Sequence, residues 1–186
     1  NDILLFHFPC RKDWKYIEKQ SGKFYIKRCL GLPGETIAIH NGFYRIGERQ
    51  TGAGYLPQQA FLSATPDELL SPEVRRTFPY DSLYGWNIRN FGPLYLPAAG
   101  DTLEVTETNY RLYGRYIAYE THREITYRDS ALYIGSESVS RYVFRKNYYF
   151  MGGDRVTDSQ DSRYWGLLPE ECIVGRAALI LYSVAP

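Results

Sequence analysis

Cysteine and histidine are scarce in this sequence, three of each among 186 residues. Cys10, Cys29 and Cys172 show no C-x-x-C or other ligand spacing, so no zinc cluster is legible and neither a metal nor a cofactor is expected. One cysteine pair could be bridged in an oxidising compartment, which spacing alone does not decide. Charge of one sign is lacking too: 22 lysines and arginines stand against 21 acidic residues, a net charge of +1. That balance removes the electrostatic reason to expect nucleic acid as a partner. No apolar run approaches the roughly 18 residues that cross a bilayer, and no charged-then-apolar leader opens the chain. Repeats and low-complexity segments are also absent. Asn1 is not an initiator, and "DILLFHFP" is strand-like from the second residue. The expectation is a fragment whose upstream part is missing.

What is abundant is tyrosine, 18 residues, within an aromatic content of 16%. Flat rings suit a pleated, half-buried surface, so a mostly β fold is expected. Residues 2 to 8 read as a buried strand bounded by Pro9. In "KFYIKRCL", extended geometry places Tyr25, Lys27 and Cys29 on one face and Phe24, Ile26 and Arg28 on the other. Pro33-Gly34 fits the middle of a type II turn. "TIAIHNGFYRI" predicts a hairpin, with Asn41-Gly42 as its type I′ turn. From Gly47 the texture turns glycine-rich and polar. There "TPDELLSPEVRRTF" predicts a short helix with Thr65 as N-cap and Pro66 at its first position, interrupted at Pro72. "TETNYRLYGRYIAYE" predicts a second helix, with Leu112, Tyr116 and Tyr119 at i, i+4 and i+7. A strand returns through "SRYVFRKNYYFMGG", and another closes the chain over 174–184. The expected organisation is a discontinuous antiparallel β core, 1–46 and 141–186, around an inserted mixed α/β second domain, 47–140.

Two stretches invite chemistry. Lys27 lies in a strand interior, where a lysine is ordinarily an exposed or snorkelling side chain. Alternatively, desolvation by Tyr25, Ile26 and Cys29 favours an uncharged amine, and an uncharged amine can take a proton from a serine hydroxyl. "GGDRVTDSQDSRYWG", residues 152–166, has the composition of a solvated turn, with the floor of a site as the alternative. A solvated turn has no need of Tyr164 and Trp165 immediately after it, nor of Arg163 among Asp154 and Asp161.

In this order, "YIKRCLGLPGE" and "GGDRVTDSQDSRYWG" resemble the motifs of the bacterial type I signal peptidases. Those enzymes carry a strand of the form "YIKR-x-x-G-x-P-G-[DE]" and a late motif close to "G-D-N-R-x-x-S-x-D-S-R-x-W-G". "NDILLFHFP" is similar to their "GD-x-x-x-F-x-x-P" segment, and "FGPLYLPAAGDTLEV" looks like their variable second-domain region. The resemblance implies a complex antiparallel β fold and a serine–lysine dyad cleaving signal peptides from exported preproteins. By it, Lys27 is the general base and Ser159 orients its amine. Arg28 with Asp154, and Asp161 with Arg163, are ion pairs that shape the site. Phe24, Tyr25 and Ile26 offer backbone to an extended substrate with small side chains near the cut.

The family's nucleophile sits in an "S-x-x-P" motif ahead of the "GD-x-x-x-F" strand, after a membrane anchor. It is therefore expected upstream of Asn1, leaving this fragment inactive, with the anchored parent on the outer, periplasmic face of the cytoplasmic membrane. One departure stands out: Arg155-Val156 replaces the family's Asn-Arg, which puts the loop packing there in question. Two other readings stay open. One is a non-catalytic peptide-binding module of the same fold. The other is a self-cleaving repressor domain, disfavoured by the long insertion and by the lack of a DNA-binding helix pair.

Overall fold

The computed structural model describes residues 1–11, 16–47 and 52–178. In chain order, β1 (Ile3–Cys10), β2 (Ile17–Gly31), β3 (Thr36–His40) and β4 (Phe43–Ile46) precede two helices, α1 (Leu56–Ala64) and α2 (Pro72–Arg75). Then come β5 (Phe91–Tyr95), β6 (Thr102–Glu104), α3 (Glu107–Thr121), β7 (Ile125–Arg128), β8 (Ala131–Ile134) and β9 (Glu137–Val139). The last elements are β10 (Arg141–Val143), β11 (Tyr148–Gly152), α4 (Ser162–Trp165), β12 (Leu168–Pro169) and β13 (Ile173–Arg176). The fold is mostly β, and the pairings between its strands are antiparallel.

The principal sheet has the order β12-β11-β2-β1-β13. Its inner face is aromatic because opposed residues share a face: Phe6 lies opposite Tyr25, and Phe8 stacks on the same ring at 4.9 Å. Phe6, Phe8 and Trp165 are buried in one cluster with Tyr148, Phe150 and Tyr116. Leu4 lies opposite Lys27, so the lysine stands on this inner face, at the end of the aromatic row. Phe24 and Ile26 point the other way and are more than half exposed. β11 pairs with β2 only from Arg28 to Gly31, whereas β1 pairs with it down to Ile17. Among the described residues, positions 24–27 thus have a strand on one side only, and alternate backbone groups face outward on the other.

A second sheet, β4-β3-β5, holds the expected hairpin, with Asn41 at φ 47° and Gly42 at φ 85°. Gly34 takes φ 85° in the expected turn, which Glu35 closes by donating its N–H to the Leu32 carbonyl at 3.1 Å. α3 begins at Thr106, whose hydroxyl accepts from Asn109 N at 3.1 Å, and buries Leu112 and Tyr116. It also carries Glu120 into the interior. That carboxylate accepts hydrogen bonds from Tyr142 Oη, Tyr148 Oη and Arg145 N at 2.7, 2.9 and 2.8 Å.

Four expectations need correction. β1 does not stop at Pro9: it runs to Cys10, because a register shift between Phe8 and Cys10 leaves the proline, which has no N–H to give, out of the pairing. Thr65 does not open a helix but closes α1, its hydroxyl donating back to the Phe61 carbonyl at 2.7 Å. Pro72 begins α2 rather than interrupting a helix, with the Ser71 hydroxyl capping Val74 N. The strand expected through "SRYVFRKNYYFMGG" is two strands in different sheets, β10 against β6 and β11 against β2. Of the closing strand over 174–184, β13 covers the start, and residues 179–184 lie outside the described residues. All three cysteines are buried, and none is in a disulfide.

Candidate active site

Lys27 reaches from β2 toward the loop between β11 and α4, and its Nζ donates to Ser159 Oγ at 3.0 Å. The approach depends on Gly153: a Cβ there would fall 1.9 Å from Ser159 Oγ and 3.4 Å from Lys27 Nζ. A side chain at 153 and the Lys27–Ser159 contact exclude each other. Tyr25, on the same face of β2, donates its hydroxyl to Gln160 Oε1 at 3.3 Å, so two neighbouring loop residues meet two alternate strand residues.

The loop is held by its charged residues. Asp161 is fully buried and accepts from Gly153 N at 2.9 Å and from Arg163 Nε and Nη2 at 2.8 and 2.6 Å. Burial by itself works against the Arg163 guanidinium, but the Asp161 charge and hydrogen bonds outweigh it and the net direction is upward. Arg28 donates to both oxygens of Asp154 at 2.9 and 2.8 Å, and those bonds, against a smaller desolvation, also raise its pKa. This pair is partly exposed and contributes little stability beyond positioning. Ser162 Oγ accepts from Met151 N at 2.9 Å, tying the loop back to β11.

Val156, the residue that departs from the family pattern, is buried with Leu62, Leu70 and Ile88. An apolar side chain at 156 therefore plugs the loop into a small second core contributed by α1 and the segment after it. Tyr164 Oη donates to the Val74 carbonyl at 2.9 Å and Phe78 N donates to the Arg163 carbonyl at 2.8 Å, so the α2 segment is clamped to the loop as well.

Of the residues singled out from sequence, the structure brings Tyr25, Lys27 and Ser159 together on one face and Arg28 against Asp154 beside them. Phe24 and Ile26 present their side chains to the opposite, exposed face. Sequence reading missed Gln160, Gly153 and the α2 wall. The Gly152-Gly153 doublet was the available signal for a close approach. Depressions open on both sides of Ser159. One, of about 300 Å³, is lined by Ile26, Lys27, Gly153 and Asp154; the other, of about 470 Å³, by Val74, Arg76, Tyr80 and Tyr164. A larger cavity of about 550 Å³ lies elsewhere, beside Asp2, Cys29 and Glu35. Among the described residues no group of three or more His, Cys, Asp or Glu is placed to hold a metal ion, and no helix is long and apolar enough to cross a membrane.

Chemically, an amine held by one hydroxyl, beside a strand edge with free backbone groups, has the parts of a general base next to a docking line for extended polypeptide. Comparison with known proteins bears on this. The family model described as "Signal peptidase, peptidase S26" matches residues 1–182. Signal peptidase I of Aquifex aeolicus (strain VF5) is 49% identical over 43 residues, 23% of this chain and 17% of that protein. Signal peptidase I of Buchnera aphidicola subsp. Baizongia pistaciae (strain Bp) is 24% identical over 198 residues, 97% of this chain and 57% of that protein. The chain thus spans little more than half of the latter relative. A crystal structure of a signal peptidase I from Enterococcus faecalis V583 aligns with 95% of this chain and 93% of its own, at 19% identity and a TM-score of 0.42.

Proposed function

We propose, since the chain belongs to the signal peptidase family, peptidase S26, that it forms the extracytoplasmic part of a membrane-anchored serine endopeptidase that removes signal peptides from exported preproteins. The observation that carries this reading is the 3.0 Å contact between Lys27 Nζ and Ser159 Oγ. A neutral hydroxyl steers the amine lone pair without adding charge that would hold the proton on it. Lys27 is the general base and Ser159 its orienting partner. Asp161–Arg163 and Arg28–Asp154 fix the loop that delivers Ser159.

The open edge of β2 at 24–27 receives the substrate as an added strand. The backbone of Phe24, Tyr25 and Ile26 supplies affinity, and shallow pockets select small side chains near the cut. In the family's order of motifs the attacking serine precedes the strand matched by β1, so the reading assigns it to sequence ahead of Asn1, along with the anchor. The catalytic step is a proton transfer from that serine to the Lys27 amine as the hydroxyl attacks the scissile carbonyl. The resulting ammonium gives that proton to the leaving nitrogen as the C–N bond breaks, and water, deprotonated by the amine in turn, hydrolyses the serine ester and frees the serine. The reading also keeps 47–140 as an insertion between core segments 1–46 and 141–186. In support, every strand of the five-stranded sheet comes from the core segments, although β5 and β6 pair with β3 and β10 across the boundary.

The test compares the full-length protein with its Lys27→Ala variant on a peptide carrying a small-x-small site. Loss of a general base lowers kcat by about 10²–10⁴-fold. Undiminished cleavage by the variant removes Lys27 from the mechanism. The same open edge would serve a non-catalytic peptide binder. The codons upstream of Asn1 separate the two, because an apolar helix followed by S-x-x-P belongs only to the enzyme.

A further inference from the structure

The segment from Asp67 to Asn90 carries arginines to which the peptidase reading assigns no role. Arg75 ends α2 and Arg76 follows it. The backbone of Arg76 bridges to Asn87, and Ile88 N donates to the Arg75 carbonyl at 3.2 Å, so Arg89 follows directly on the residue that meets Arg75. Between these strands of chain lies a cavity of about 370 Å³ whose lining includes Asp67, Arg75, Arg76, Trp86, Asn87 and Arg89. Three guanidinium groups and one carboxylate concentrate positive charge here, in a chain whose net charge is only +1.

The carboxylate does not satisfy the arginines. Asp67 Oδ1 lies 3.4 Å from Arg89 Nε, and the Asp67 side chain is 63% exposed. Arg89 Nε and Nη2 are buried and donate a hydrogen bond to nothing. Among the described residues neither Arg75 nor Arg76 has a carboxylate at ion-pair distance; the Arg76 guanidinium lies over the Tyr80 ring, 5.9 Å from its centroid. The Arg89 donors, buried without an acceptor, are costly, and the exposed charges of Arg75 and Arg76 at the rim add positive potential. A single ligand suits both: an oxyanion with several acceptor oxygens, which guanidinium forks bind in paired hydrogen bonds. The cavity exceeds the volume of a bare phosphate ion, and Trp86 gives it an aromatic wall for the group that carries the anion.

We infer that this arginine cleft binds a phosphate group borne by an organic ester. The ester is either soluble or the headgroup of a lipid. The inference rests on the cleft alone and is independent of the peptidase reading.

The test is calorimetric titration of the 186-residue chain with inorganic phosphate and with glycerol 3-phosphate, against sodium chloride at matched ionic strength, for native protein, Arg89→Met and the double variant Arg75→Gln/Arg76→Gln. Flotation with phosphatidylcholine vesicles, with and without phosphatidylglycerol, is run on the same proteins. The expected result is saturable phosphate binding that chloride does not reproduce, weakened about tenfold or more by either variant. Tighter binding of glycerol 3-phosphate, with no vesicle binding, assigns a soluble ester. Flotation that requires phosphatidylglycerol and is lost in the double variant assigns a lipid headgroup. The substituted residues of the double variant are exposed, so that variant decides the matter if Arg89→Met does not fold. Phosphate and glycerol 3-phosphate signals no larger than the chloride signal, or binding to them and to vesicles that the double variant retains at full strength, overturn the inference.

Discussion

Gly153 shows what a single missing side chain does at this site. Its backbone passes so close to Ser159 that a methyl group would lie 1.9 Å from the hydroxyl. Gly153→Ala must push Ser159 off Lys27. The expected outcome in the full-length protein is a fall in cleavage of about 100-fold, the size that a misplacement near 1 Å can cause. Overpacking should cost about 1–3 kcal/mol in stability, read from urea unfolding. Full activity of Gly153→Ala would mean that the Lys27–Ser159 contact is dispensable. Motif order put Lys27 and Ser159 into one proposed site from sequence, and the fold holds their side chains at hydrogen-bond distance. Gly153 and Gln160 were not legible, because their importance comes from the path of the loop over β2, which no local pattern encodes.

Among the elements, the loop 153–161 and helix α1 depend on each other through Val156. Placing an amide at that position, Val156→Asn, buries a polar group among Leu62, Leu70 and Ile88 with no hydrogen-bond partner. A loss of about 2–3 kcal/mol is expected by urea unfolding, together with faster amide exchange at Gly153. A change below about 0.5 kcal/mol, the range of ordinary surface substitutions, would show that the loop does not rely on this plug. The Asn41-Gly42 hairpin and α3 were readable because each states its geometry locally, in a pair of positive-φ residues and in apolar spacing. α1 was not: only Gln59 and Leu62 of its nine residues are buried, while Leu56 and Phe61 stay exposed, so it lacks a continuous apolar stripe. Its start also follows the glycine-rich texture that reads as loop, and Thr65-Pro66 imitates a helix start where a helix ends.

For the molecule as a whole, the five-stranded sheet joins strands from the two ends of the chain, and its order was not legible because pairing between distant strands is set by tertiary packing. Burial of the assembled core has a measurable acid–base signature. Burial pushes the Cys29 thiol up to about 11 and the Cys172 thiol up to about 12. A thiol whose folded-state pKa is raised stabilises the fold fully below its unfolded value of about 8.5, and that contribution is lost as pH climbs through the folded value. Unfolding by urea should therefore show stability falling between about pH 8.5 and 11. A thiol reagent at pH 8 should label Cys10, Cys29 and Cys172 slowly in native protein and rapidly once unfolded; fast native labelling of Cys29 or Cys172 would contradict the burial. The incomplete pairing of β2 has one more effect, on handling. A strand edge that no described residue pairs at 24–27, next to the exposed side chains of Phe24 and Ile26, is a template for any extended chain, including another copy of this one. Concentrated protein without substrate is set to associate edge to edge, and an extended peptide that occupies the edge should also keep the protein in solution.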